Sequence, residues 1–284
     1  MVNGIFYPDC QESIIAALAS WGLRDVSING RGSSGLMAII APHAAWDISG
    51  TVAGAAFAAA QYERAAAVPA ARGNSVRNIS RVVLLGPCHA SVEEGIYLSE
   101  SVSFHTPLGE LPVDQRLNRE MASCSTFIRI NDIPHLSEHC LEVLLPLVKY
   151  CFGGIRIVPI LVSGARPAII SCLARALRIT LEKYINECLI VISSNVSWNS
   201  NAALAMSMAG EFQSLLESMD AEAFLAALAA GRVSACGGAP VGALLESGLL
   251  DGSHFSAVGP LVRGIEEQEE TVYYGAFACG AHGG

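Results

Sequence analysis

The sequence predicts an α/β protein, a single domain over residues 1–284 built on a largely parallel sheet with helices on both faces. Four short, almost wholly apolar runs have strand length: residues 36–41 (LMAIIA), 79–85 (ISRVVLL), 155–162 (IRIVPILV) and 188–193 (CLIVIS). A strand apolar at every position is covered on both faces, as in a parallel sheet, whereas a half-exposed strand alternates. Helical stretches separate these runs, and neither an internal repeat nor a low-complexity linker interrupts the chain.

In chain order, residues 11–21 read as an amphipathic helix, and residues 36–41 as a buried strand stopping at Pro42-His43. Residues 49–64 form a long helix whose Ala and Gly content lets it lie close against a sheet. A loop over 67–78 leads to the second strand, 79–85, which stops at Gly86-Pro87. After a less regular section, residues 138–150 show helical periodicity through Leu141, Leu144, Leu145 and Val148, so Glu138-His139 opens a helix. The strand 155–162, a helix over 166–184 and the strand 188–193 follow. Two helices lie within 202–218 and 221–230. Residues 255–262 and 272–279 read as strands able to pair as a hairpin, with the acidic run 266–270 as a solvated loop between them.

Composition excludes several function classes. Apolar residues make up 52% of the chain and charged residues 15%, which rules out general disorder. No stretch of about 18 apolar residues lacks charge or turn punctuation, so no membrane span is expected. The formal net charge of −9, without a basic stripe, argues against a nucleic-acid partner. The first residues show neither a basic nor an apolar leader region, and the nine cysteines are scattered without a C-x-x-C pair. A reduced, cytoplasmic protein without a disulfide framework is the expectation.

In an open α/β sheet, ligands bind beyond the carboxyl ends of the strands. Three strand ends carry polar chemistry there: Pro42-His43 followed by Asp47, Gly86-Pro87-Cys88-His89, and Ser193-Ser194-Asn195 with Trp198. Glu138-His139 and Cys236-Gly237 stand beside other apolar runs. A histidine that follows Pro at a strand end leaves the sheet sharply and can face the crevice. Imidazole and thiolate are good ligands for iron, copper or zinc. Taken singly, each histidine also reads as a hydrogen-bonded structural residue, and Cys236 as an inert core thiol.

The ordered motifs resemble those of MEMO-family proteins, called AmmeMemoRadiSam system protein B in prokaryotes. The likeness is carried by Phe6-Tyr7-Pro8, Ala41-Pro42-His43 with Ser49-Gly50, Leu85-Gly86-Pro87-Cys88-His89 and Thr106-Pro107-Leu108-Gly109. It continues through Glu138-His139 with Glu142, Ile157-Val158-Pro159, Ser193-Ser194-Asn195, Cys236-Gly237 and Tyr273-Tyr274-Gly275-Ala276. The resemblance spans nearly the whole chain. It implies a fold similar to class III extradiol dioxygenases of the LigB type, and a metal pocket mapping onto His43, His89 and Cys236, with iron or copper as the ion.

One motif departs from the family. Where the family has an aspartate and, three residues later, a histidine, this chain has Asn195 and Trp198. The exchange removes a carboxylate and an imidazole from the pocket, the groups suited to moving protons. Glu138 and His139 remain as candidate catalytic substitutes. Asp47 reads either as a hydrogen-bonding partner of His43 or as a helix N-terminal carboxylate. Cys88 reads as a packed thiol, His105 as a rim or loop residue, and His135, His254 and His282 as exposed or structural.

Three functions follow from the resemblance. The first is a metal-dependent redox enzyme acting on O2 or a small molecule. The second is a non-catalytic protein binding metal or peptide through the same crevice. The third is an accessory component working with AMMECR1-like and radical-SAM partner proteins. The chain has no C-x3-C-x2-C cluster motif of its own, so it is not the radical-SAM component.

Overall fold

The computed structural model describes residues 2–25, 33–34, 36–62, 77–90, 93–265 and 270–281. The greater part of the expected loop at 67–78, most of the acidic run at 266–270, and His282 lie outside the described residues.

Among the described residues, eight strands form the main sheet: β1 (Ala38–Ala41), β2 (Arg81–Pro87), β3 (Gly95–Leu98), β4 (Ile128–Ile130), β5 (Arg156–Ser163), β6 (Cys188–Ser193), β7 (Ser253–Ala257) and β8 (Phe277–Ala281). Their order is β7-β8-β1-β6-β2-β5-β3-β4. The central four, β1, β6, β2 and β5, run parallel. They are the four apolar runs of the sequence, buried along nearly their whole length. On one flank β3 runs antiparallel to β5 but parallel to β4, and on the other β8 is antiparallel to both β1 and β7.

Among the described residues, nine α-helices accompany the sheet: α1 (Gln11–Ser20), α2 (Trp46–Tyr62), α3 (Gln115–Ala122), α4 (Ile133–Ser137), α5 (Leu145–Phe152), α6 (Pro167–Leu181), α7 (Ala202–Ser218), α8 (Ala221–Ala229) and α9 (Gly238–Glu246). Strand periodicity sorts the core into two layers. Ala38, Ile40, Val83, Leu85, Ile190 and Ile192 face α3, α6, α7, α8 and α9. Ile39, Ala41, Val82, Leu84, Leu189 and Val191 face α1, α2 and α5. The small residues of α2 have a specific use. A Cβ at Gly50 or Gly54 would fall 2.5 or 2.9 Å from Trp21, so the indole lies along a glycine notch in that helix.

One sequence expectation changes. Glu138 does not open a helix; it is extended (φ −104°, ψ 130°) just after α4. A 3-10 turn, Glu142–Leu144, precedes α5. The carboxylate of Glu138 accepts the N–H groups of His139 and Cys140, a local bonding pattern that competes with helix formation. The C-terminal strands pair antiparallel as expected, residues 255–257 with 277–279 and Val262 with Tyr274. β7 and β8 pair within the main sheet, and between them Val262–Ile265 and Thr271–Tyr274 join Ser197–Asn199 in a three-stranded sheet.

At the amino ends of the central strands, Arg81 donates to Asp114 Oδ2 (2.9 Å) and Glu187 Oε2 (3.1 Å). Asp114 also caps α3 by accepting Leu117 N–H. Among the described residues, no helix is long and apolar enough to cross a membrane.

Gly86, near the end of β2, is where the 138–141 segment approaches the sheet. A Cβ there would meet Cys140 Sγ at 2.6 Å and Leu141 Cδ2 at 2.7 Å, both in buried residues. Gly86→Ala should cost about 1–3 kcal/mol by overpacking, read as a lower midpoint in denaturant unfolding. An unchanged midpoint would show that the segment yields freely.

Candidate metal centre

Three adjacent parallel strands, β1, β6 and β2, end side by side. Past β1 the chain turns at Pro42 to place His43, which is buried. Past β2 it places Cys88 back into the core and His89 outward, as expected of neighbouring residues on extended chain. Past β6 come Ser194 and Asn195. Cys236 arrives from the turn between α8 and α9, directly before Gly237. A Cβ at Gly237 would lie 2.6 Å from Ser194 Cβ and 2.8 Å from Ser193 O, so only glycine lets the cysteine turn sit this close. Gly237 N–H donates to Ser194 Oγ at 2.9 Å.

His43, His89 and Cys236 each offer one ligand atom, and the three atoms lie within 4.8 Å of one another. The His43 and His89 rings are 5.4 Å apart, edge to face. Cys236 Sγ is 3.4 Å from His43 Nε2. The opposite nitrogen of each ring is already engaged. His43 Nδ1 lies 2.8 Å from Ser193 Oγ, whose own proton is donated to Cys140 O (2.7 Å), so the hydroxyl accepts from the ring. His89 Nδ1 lies 3.0 Å from Glu138 Oε2. Both imidazoles are thereby held with Nε2 as the nitrogen left for a ligand, the arrangement found around metal-binding histidines.

The electrostatics are tightly coupled. Glu138 is buried, which raises a carboxyl's pKa, yet N–H bonds from the His89 ring and backbone and from Cys140 outweigh burial and bring it down to about 2. A hydrogen bond to Cys236 and another to Glu138 hold the His89 proton up to about 10. Burial opposes the Cys236 thiolate, but His43, His89 and the Asn195 N–H (3.0 Å) together lower the thiol to about 5. His139 joins the group, its ring 5.8 Å from that of His43 and 5.9 Å from that of His89, with Phe6 packed on it at 4.5 Å. Burial, followed by its imidazole neighbours, lowers His139 to about 4, so it is neutral at pH 7.

The other sequence candidates separate clearly. Glu138 is enclosed, its side chain 1% exposed, and acts on His89 rather than facing the crevice. Asn195 belongs to the site: its Oδ1 accepts the His43 N–H at 3.4 Å while its own N–H reaches the sulfur. Asp47 does not touch His43; it is exposed in the first turn of α2, and Ser193 takes the orienting role instead. Trp198 is 49% exposed, and no described hydrogen bond or ring contact joins it to His43, His89 or Cys236. Away from the centre, His105 pairs with Glu110 on an exposed hairpin, and the His135 ring meets Tyr97 O. All nine cysteines are free of disulfides. Ser193 was read only as part of its strand-end motif, and its role with the Cys140 carbonyl went unread, because a serine at a strand end has no spacing that marks it as a hydrogen-bond relay.

In metal-free protein the lowered pKa keeps Cys236 charged above about pH 5, and the charge disappears as pH falls through that value. The ultraviolet thiolate absorbance lost in Cys236→Ser should therefore titrate near 5. A midpoint near about 8.5, that of an ordinary thiol, would refute the arrangement.

A family model described as Memo-like protein matches residues 1–256. A MEMO1 family protein of Aeropyrum pernix is 32% identical over 263 residues, covering 88% of this chain and 86% of that protein. One from Thermotoga neapolitana is 26% identical over 258 residues, covering 87% of each. The crystal structure of uncharacterized protein JW3007 from Escherichia coli K12 superposes with a TM-score of 0.47 at 14% identity, covering 72% of this chain and 87% of that one. The match runs through all three strand ends and the cysteine turn, and the chain belongs to the Memo family.

Proposed function

We propose that the protein is a metal-dependent redox enzyme whose mononuclear non-haem centre is held by His43, His89 and Cys236. The observation that carries this reading is the convergence of two imidazoles and a sulfur within 4.8 Å, each histidine fixed through its far nitrogen. The donor set fits such an ion: two imidazole nitrogens, that of His89 giving up its proton on binding, and one thiolate, with fewer protein ligands than a closed structural site. Iron or copper suits these donors, the thiolate shifting preference toward the softer ion. When bound, the metal supplies Lewis-acid and one-electron redox chemistry for O2 or a small organic substrate.

The chain's own residues set what happens around it. Ser193 and Glu138 orient the ligands. Asn195 holds the His43 backbone and the sulfur in register but has no basic atom to take a proton. His139, neutral and beside both ligand rings, is the group left to accept and return a proton at its imidazole. The amide at 195 and the outward position of Trp198 favour a second reading, a metal-binding protein without turnover.

Protein purified anaerobically should carry about one iron or copper ion per chain, falling to background in His43→Ala, His89→Ala and Cys236→Ser. Metal that survives all three substitutions would place the site elsewhere. His139→Gln should keep the metal and lower substrate-dependent oxygen uptake about 100-fold. Full metal loading with no uptake by the unaltered protein would favour the second reading.

A further inference from the structure

The His139 ring is held differently from the two ligand rings beside it. Its Nδ1 is 3.4 Å from Glu138 Oε1, beyond the ordinary length of an N–H···O bond, and among the described residues no other hydrogen bond reaches that ring. Its orientation therefore falls to packing. Of its ring neighbours among the described residues Phe6 is the closest, at 4.5 Å with a tilt of 42°, against 5.8 Å for His43 and 5.9 Å for His89. Phe6 belongs to a loop, residues 2–7, whose backbone closes on itself. The Ile5 and Phe6 N–H groups donate to Val2 O at 3.1 and 2.8 Å, and Gly4 N–H donates to Tyr7 O at 2.7 Å. Gly4 takes the positive φ, +77°, that this turn requires. Such a loop keeps its own shape but needs an anchor to press Phe6 on another segment.

Glu142 is that anchor. Its Oε1 accepts both the Val2 N–H (2.6 Å) and the Tyr7 hydroxyl (3.2 Å), so one carboxylate oxygen grips the two ends of the loop. Burial, followed by Glu142, raises the Tyr7 pKa, which keeps that hydroxyl a donor. On its other side the loop is tied to the first turn of α2, where Phe6 O accepts the Trp46 N–H at 2.7 Å. Glu142 stands three residues after His139, and Val143 N–H donates to His139 O at 3.1 Å, so the grip and the ring it serves share one turn. We infer that Glu142 is a positioning residue: by gripping Val2 and Tyr7 it seats Phe6 against His139 and fixes that imidazole beside the metal ligands. The effect on turnover rests on the role proposed for His139, while the seating of Phe6 is a separate, measurable property.

The test treats the full chain with diethyl pyrocarbonate, which acylates accessible imidazoles, and follows each histidine by peptide mass spectrometry. His105, exposed on the Ser103–Pro112 hairpin, is the internal reference. Phe6→Ala and Glu142→Ala should each raise the His139 rate about fivefold or more relative to His105. Glu142→Gln keeps an acceptor oxygen for both donors and should restore protection to within about twofold, a rescue that general loosening of the fold would not give. Phe6 is half-buried, so Phe6→Ala decides the question even where Glu142→Ala fails to fold. In oxygen uptake, both alanine variants should keep their metal and lose about tenfold in kcat, with KM within about twofold. Loss of His139 protection in both, with no uptake by the unaltered protein, upholds the seating and counts against the redox reading alone. Unchanged His139 reactivity in Phe6→Ala, no rescue by Glu142→Gln, or a kcat that stays level once the ring is uncovered would overturn the inference.

Discussion

The arrangement depends on one buried carboxylate. Glu138 accepts N–H groups from the His89 backbone, the His89 ring, His139 and Cys140. Burying a charge costs several kcal/mol unless hydrogen bonds replace its water, and here four donors do so. Because the donors come from two separate segments, one side chain ties the end of β2 to the stretch before α5. That stretch in turn carries the Cys140 carbonyl, which fixes Ser193 and, through it, the His43 ring. The orientation of both imidazoles thus traces back to the same segment.

Much of this was legible in the sequence, for identifiable reasons. The four central strands are apolar on both faces and stand out from any helical pattern; the boundaries of β6 match the reading residue for residue. Helix α9 and the flanking strands β3 and β4 were not read as such. The strands are three or four residues long, and the helix opens with Gly238-Ala239-Pro240, which reads as a turn. The spacing of Leu141, Leu144, Leu145 and Val148 suits a 3-10 turn followed by a helix as well as one continuous helix, so it misled the reading of Glu138. His43 and His89 were visible from their strand-end positions alone. Cys236 was singled out beside an apolar run, but its approach to them came from family resemblance, since no local pattern links it to residues so distant along the chain.

The departure at Asn195 is structurally quiet. Its two tasks, accepting the His43 N–H through Oδ1 and donating its own N–H to the sulfur, are open equally to an amide and a carboxylate. The amide differs from a carboxylate there in having no basic atom. His139 stands as a neutral imidazole beside the rings of His43 and His89.

The ion-paired rim formed by Arg81, Asp114 and Glu187 lies at the other end of the strands that carry the histidines. The ion pairs and the histidines thus share strands without sharing contacts, and the hydrogen bonds of Asn195 reach His43 and Cys236 but none of the Arg81 pairs.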